Sequence, residues 1–172
     1  MCSSDLFDFG KESLAYRRVN FSEAEFQNPA LDVMMAICPA RDSEHPAALA
    51  LCEATRRVLA AHGLGYRDST CAGLLLAEFN VSGLPSARNA VADVRCGDLL
   101  LGQSVCPCLI AGLKIGVRVL ALRQNISAAE VAILKTYLRL LALDCGLILN
   151  FNRSSFEFRW IGRKSCRPIS DE

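Results

Sequence analysis

Residues 117–152, VRVLALRQNISAAEVAILKTYLRLLALDCGLILNFN, constrain the fold of this chain more than any other stretch. They read as strand, turn, helix, turn, strand. From 117 to 122, apolar residues fill both alternating sets of positions and Arg118 is the one charged member, the pattern of a strand buried on both faces. Ser127 and Glu130 form a capping box: the serine oxygen takes an orphan amide of the first helical turn and the glutamate reaches back. Val131, Leu134, Leu138 and Leu141 then recur at helical spacing and leave a narrow polar stripe of Lys135, Thr136 and Arg139. Asp144, Cys145 and Gly146 are expected to break the helix, and the run 147–151 to form a second strand. If the two strands are parallel, the unit is a right-handed crossover.

The rest of the chain must supply partners for this unit. Its 172 residues, 52% of them hydrophobic, suffice for one domain with a real core. The formal net charge of +1 gives no global basic field to attract nucleic acid. No apolar run approaches the roughly 20 residues of a membrane helix, and the first residues lack the basic start and apolar core of a signal peptide. A cytoplasmic protein without a membrane segment is expected.

Nine cysteines are present, and only Cys106 and Cys108 lie close together, as C-P-C. Neither His45 nor His62 sits near a cysteine pair, so the spacing does not match a zinc site. Most of the thiols are expected to be buried as small apolar residues.

Residues 1–21 read as a loose arm whose Phe7, Phe9, Tyr16 and Phe21 dock on the body. Ser22 with Glu25 is a second capping box, interrupted at Pro29, and 31–37 is an apolar helix end. A helix is predicted over 46–62. Pro46 starts it, Ala48, Leu51, Cys52, Val58 and Leu59 form its inner face, and Gly63 stops it, with His62 at its C-terminus. Strands are predicted at 66–69, 72–79, 91–95 and 99–101, a loop at 81–89, and an edge strand at 156–160. The stretch 102–112 has little periodicity. The body is therefore expected to be a single domain over 22–162, followed by a polar, flexible tail at 163–172.

TYLRL at 136–140, followed by GLILNFN at 146–152, resembles the end of the small GxxExxY proteins of the PD-(D/E)XK nuclease superfamily. The resemblance covers about residues 46–161. It implies an α/β (α+β) fold with a restriction-endonuclease-like core: a mixed four- or five-stranded sheet flanked by helices. It also implies an insertion around 80–112 that loops out at an edge.

In the active members of that superfamily an acidic residue on one strand and E-x-K on the next hold Mg²⁺ and activate water. Matched onto this chain, the E-x-K positions fall on Leu120 and Leu122, or one residue earlier on Val119 and Ala121. The first acidic position falls on Ile110 by strict counting; Asp98, which is followed by leucines, and Asp93 are the other options. The glycine, glutamate and tyrosine that name the family fall on Pro46, Leu49 and Cys52, or on His45, Ala48 and Leu51. A helix position often occupied by glutamine falls on Ile133. An aliphatic side chain neither binds a hard cation nor moves a proton.

The leading expectation is therefore a degenerate, catalytically inactive member with no metal or cofactor. It would act by binding an unknown protein partner or nucleic acid. The alternative is an Mg²⁺-dependent nuclease with a migrated site, built from Asp93 or Asp98 with Glu78 and a lysine such as Lys114. Asp98 also reads simply as a turn residue after Gly97. Arg118, Arg123, Lys135 and Arg139 are the candidate phosphate-facing residues, or else a solvated rim. Ile110, Leu120 and Leu122 on one open face would make an apolar patch for a partner. Asn150 and Asn152 are expected to fix backbone turns at a strand end, and Trp160 to pack at the edge rather than stack on bases.

Overall fold

The computed structural model describes residues 33–34, 46–152 and 155–162. The elements run α1 (Pro46–His62), α2 (Asp68–Val81), β1 (Ser86–Cys96), β2 (Leu99–Ala111), β3 (Ile115–Leu120), α3 (Ala128–Leu140), β4 (Cys145–Phe151) and β5 (Phe156–Gly162). The strands form one sheet in the order β1-β2-β3-β4-β5. β3 and β4 are parallel and every other pair is antiparallel. This is the mixed five-stranded α+β architecture expected, with three helices among the described residues. None of these helices is long and apolar enough to cross a membrane. The arm at 1–21, the Ser22–Glu25 box, most of 31–37 and the tail at 163–172 lie outside the described residues; Val33 and Met34 are helical, and Met34 is fully buried.

Alternation along β3 sorts the core into two layers. Ile115 and Val117 join Leu51, Leu59, Leu75 and Phe79 of α1 and α2 on one face, with Leu147, Leu149 and Phe151 of β4. Leu120 and Ile148 join Leu134 and Leu138 of α3 on the other. β4 is buried at all seven positions because helices cover both of its faces. Gly116 and Gly146 let α3 settle onto the sheet. A Cβ on Gly116 would stand 2.7 Å from Leu138 Cδ2, and one on Gly146 would stand 2.8 Å from Leu138 Cδ1.

Several local expectations are corrected. Residues 66–69 and 72–79 are not strands; 68–81 is helix α2, with Cys71, Ala72, Leu75 and Phe79 buried at helical spacing. That run has no two-residue alternation, and its length suits a helix. The aperiodic stretch 102–112 is mostly β2, whose pairing with β1 is irregular at two places. β1 begins at Ser86, inside the expected loop. α3 is not stopped by Asp144–Gly146. Ala142 takes φ 53°, and the amides of Ala142 and Leu143 donate to Arg139 O and Leu138 O, a Schellman-type end built without glycine. Cys145 and Gly146 already belong to β4. The capping box is half formed. The Ser127 side chain accepts from the Glu130 amide, but the Glu130 carboxylate turns to Arg118 instead.

Of the described cysteines, Cys52, Cys71, Cys106, Cys108 and Cys145 are buried, as expected of small apolar residues, and Cys96 is exposed.

Candidate functional site

β2 and β3 part company at the C-P-C sequence. β2 is 13 residues long, yet only Leu109, Ile110 and Ala111 pair with β3. Pro107 has no amide to give to a ladder, so it favours an edge or a bulge. On its other side, one residue of β1, Asn89, faces both Pro107 and Cys108, and Asn89 takes the left-handed φ of 53°. Such an irregularity bends a strand and increases its twist. A groove of about 130 Å³ opens at the split, lined by Asp68 and Ser69 of α2, Arg88 and Asn89 of β1, Pro107, Cys108 and Leu109 of β2, and Val117 and Val119 of β3.

The groove contains one carboxylate, and Asp68 spends one of its oxygens accepting from the Ser69 amide at 2.7 Å. Beside it, the Cys71 thiol is pushed up to about 11 by burial and by the charge of Asp68. Asp68, Arg88 and Asn89 were not among the sequence candidates. Reading 72–79 as a strand hid the start of α2, and nothing local marks Arg88 as facing a groove.

The positions matched to the nuclease motif lie elsewhere. Leu120 is 6% exposed in the layer under α3. Leu122 is not on the strand at all: β3 ends at Leu120, and the Leu122 amide donates to Asn150 Oδ1 at 2.8 Å. Ile110 and Leu122 are half-buried against the same layer, so the three residues do not form an open apolar face. In the alternative register Val119 packs on the α1–α2 side, and Ala121 is half-buried just beyond the strand. Leu49 is exposed on α1 and Ile133 half-buried on α3. Mg²⁺ prefers several oxygen donors at near-octahedral geometry. The donor set here does not fit it: among the described residues, no group of three His, Cys, Asp or Glu side chains converges on a point.

The fallback acids are dispersed. Asp93 lies on β1, where Gln103 Nε2 and Arg95 donate to its carboxylate and hold its pKa below the ordinary range, Gln103 contributing most. Asp98 sits in the turn between β1 and β2 after Gly97, which takes φ 59°. Lys114 lies in the turn at the other end of β2, roughly 40 Å away by strand rise. Glu78 of α2 accepts from Arg57 Nε of α1 at 2.7 Å. These groups are not brought together.

The basic candidates also separate. Arg118 points under α3, its side chain 15% exposed, with Nε 2.7 Å from Glu130 Oε2 and the guanidinium 5.9 Å from the Tyr137 ring centre. It is therefore an internal cation rather than a phosphate-facing one. Lys135 and Arg139 are exposed one turn apart on α3, beside a second groove of about 240 Å³ with Leu138, Leu143, Asp144, Ile161 and Gly162. Arg123 is exposed in the loop after β3. That loop is clamped from β4 and β5. Asn150 Nδ2 donates to Gln124 O, Asn152 Nδ2 donates to Arg123 O, and Glu157 accepts from the Ile126 amide. The two asparagines thus fix backbone at a strand end as expected. Trp160 packs on the α1–α2 layer.

The model of the PD-(D/E)XK nuclease superfamily matches residues 47–161. No curated protein matches the chain. A solved structure, that of SSO0001, is similar at a TM-score of 0.42 and 12% identity, covering 89% of this chain and 77% of that one.

Proposed function

The chain belongs to the PD-(D/E)XK nuclease superfamily, and from that premise we propose that it keeps the nuclease fold without nuclease chemistry and acts by holding a macromolecular partner. The TYLRL and GLILNFN motifs support placing it with the GxxExxY proteins as a degenerate member. The observation that carries the reading is Leu120. At the position matched to the catalytic glutamate, it packs on Ile126, Leu134 and Leu138 instead of facing solvent. Arg118, its neighbour on that face, is neutralised by Glu130. A former site filled in this way gains apolar burial and sheds the cost of burying unpaired charge.

A protein partner is favoured over nucleic acid. With Arg118 internal, the exposed cations of the expected set are Arg123, Lys135 and Arg139. Three phosphate contacts would give a salt dependence of only about −3 in log K against log salt. The hairpin, in contrast, exposes five large apolar side chains, Val91, Leu99, Leu100, Leu101 and Val105, and exposed apolar surface concentrated on one element is the kind that marks contact sites.

Titration of labelled single- and double-stranded DNA and RNA tests the reading, at two salt concentrations with Mg²⁺ or Mn²⁺ present and product length read on the same samples. The expected outcome is intact substrate at every metal concentration. Metal-dependent cleavage that disappears in Asp93→Asn, Asp98→Asn or Glu78→Gln would overturn it in favour of a migrated site.

A further inference from the structure

Among the described residues β1 and β5 are the edge strands of the sheet, and β1, with 11 residues against seven, is the longer. Among the described residues β1 pairs only with β2, so a row of its amides and carbonyls, interrupted at Asn89, faces outward along its 11 residues. Edge strands are commonly guarded by charged side chains, lysine above all, or by proline, bulges or shortness; β1 has charged residues and the irregularity at Asn89 but is long. SARNAVADVRC has no lysine and no proline. The hairpin carries two arginines, Arg88 and Arg95, and two aspartates, Asp93 and Asp98. It therefore has no net charge to select nucleic acid or an acidic surface.

The charge order along β1 is self-complementary. Asp93 and Arg95 are two residues apart, and their side chains meet at 3.2 Å on one face of the strand. Val94 between them projects to the other face. When two copies of such a strand pair antiparallel about a two-fold axis through Val94, Asp93 stands opposite the partner's Arg95 and Arg95 opposite the partner's Asp93. Val94 meets Val94 on the axis, and Ala92 stands opposite Cys96. Every opposed pair shares a face, which a two-fold perpendicular to the sheet requires. The existing Asp93–Arg95 pair is no obstacle: both side chains are about half exposed, and such pairs contribute little.

We propose that the chain forms a two-fold homodimer through the outer edge of β1 in this register, joining two five-stranded sheets into one. The proposal rests on the hairpin being a contact surface and not on the loss of catalysis, so a monomer and a cleaving enzyme are separate results. The pairing satisfies the open backbone row from Ala92 to Cys96, the five positions that an axis at Val94 brings opposite β1 of the second copy.

The test is sedimentation velocity on the full chain over a wide concentration range, with charge-swap variants. Wild type is expected to be a dimer that dissociates on dilution. Asp93→Arg alone, or Arg95→Asp alone, places like charges opposite each other twice and is expected to weaken the dimer at least about tenfold. The double swap Asp93→Arg, Arg95→Asp restores complementarity under the same axis and is expected to recover the dimer, a result that damage to the fold cannot mimic. Opposed residues of an antiparallel pair lie about 4.5–5.5 Å apart between Cα atoms, within disulfide reach. Val94→Cys in a Cys96→Ser background is therefore expected to give an intermolecular disulfide absent from the Cys96→Ser parent. A wild type that stays monomeric, open-ended oligomers, a double swap no better than the single swaps, or no Val94→Cys cross-link would each overturn the proposal.

Discussion

In β4 all seven residues from Cys145 to Phe151 are buried; in β1, four residues longer, only Ala92 is. Both strands belong to one sheet, and the difference lies in what covers them. β4 has α1 and α2 on one face and α3 on the other. The hairpin packs at its base, through Leu109 and Ala111, on α1 and α2, and carries a small cluster on the other face, where Tyr137, Leu140 and Leu141 meet Ala92, Cys106 and Cys108. From Asp93 to Gln103 the hairpin has no buried residue. β4 is thus enclosed on both faces, whereas most of the hairpin that parts from β3 at Pro107 is exposed.

Substitutions that break this contrast fall in a clear order of size. Leu120→Glu restores the matched carboxylate but buries it among Leu134, Leu138 and Ile148. It is expected to cost on the order of 4 kcal/mol or to unfold the domain, and adding Leu122→Lys is expected to bring no metal-dependent cleavage. Chemical denaturation and the nuclease assay check both points.

Gly146→Val overfills the seat of α3, where a bare Cβ already meets Leu138 and Leu134 at 2.8 and 3.0 Å. A loss of about 3 kcal/mol is expected by denaturation. Glu130→Ala leaves Arg118 uncompensated beneath α3, and the expected loss is about 2 kcal/mol. Arg118→Met in the same chain should recover part of it, because the remaining charge is what costs.

The pH dependence of stability sharpens the contrast further. Burial pushes the thiols of Cys71 and Cys108 from the ordinary 9.0 to about 11. The folded state therefore holds these protons more tightly than the unfolded state. Their contribution is complete below about pH 9 and is lost as pH rises through 11. Thermal melting is expected to fall over that window, and less steeply in the Cys71→Ala, Cys108→Ala variant. At the other extreme, Leu101→Ser at the hairpin tip removes a side chain 61% exposed. It should change monomer stability by less than about 0.5 kcal/mol.

Much of the crossover was legible in sequence because its signals are local. The both-face apolar pattern of β3 and β4, the serine cap of α3 and the Gly63 stop of α1 each depend on a few neighbouring residues, and each is found close to its expected place. α2 and the hairpin were misread for a related reason. An unbroken apolar run is ambiguous between strand and helix, and a strand interrupted by two register shifts has no clean period.

The site was legible only as a set of substitutions. That Leu120 and Leu122 stand where charged residues are expected is what the resemblance of the sequence implies. That Leu120 is sealed under α3, while Leu122 has left the strand and hangs by its amide from Asn150, is not.

The sequence alone determined the layers: which residues are apolar, at what period, and where caps and turns interrupt them. Tertiary structure decided which charges are spent internally and which remain available. Arg118, Glu130, Glu78 and Asp93 are all ordinary polar letters in the chain. Whether each faces solvent or a partner depends on residues 12, 21 and 10 positions away brought to within 3.3 Å, and no local pattern encodes contacts at that separation.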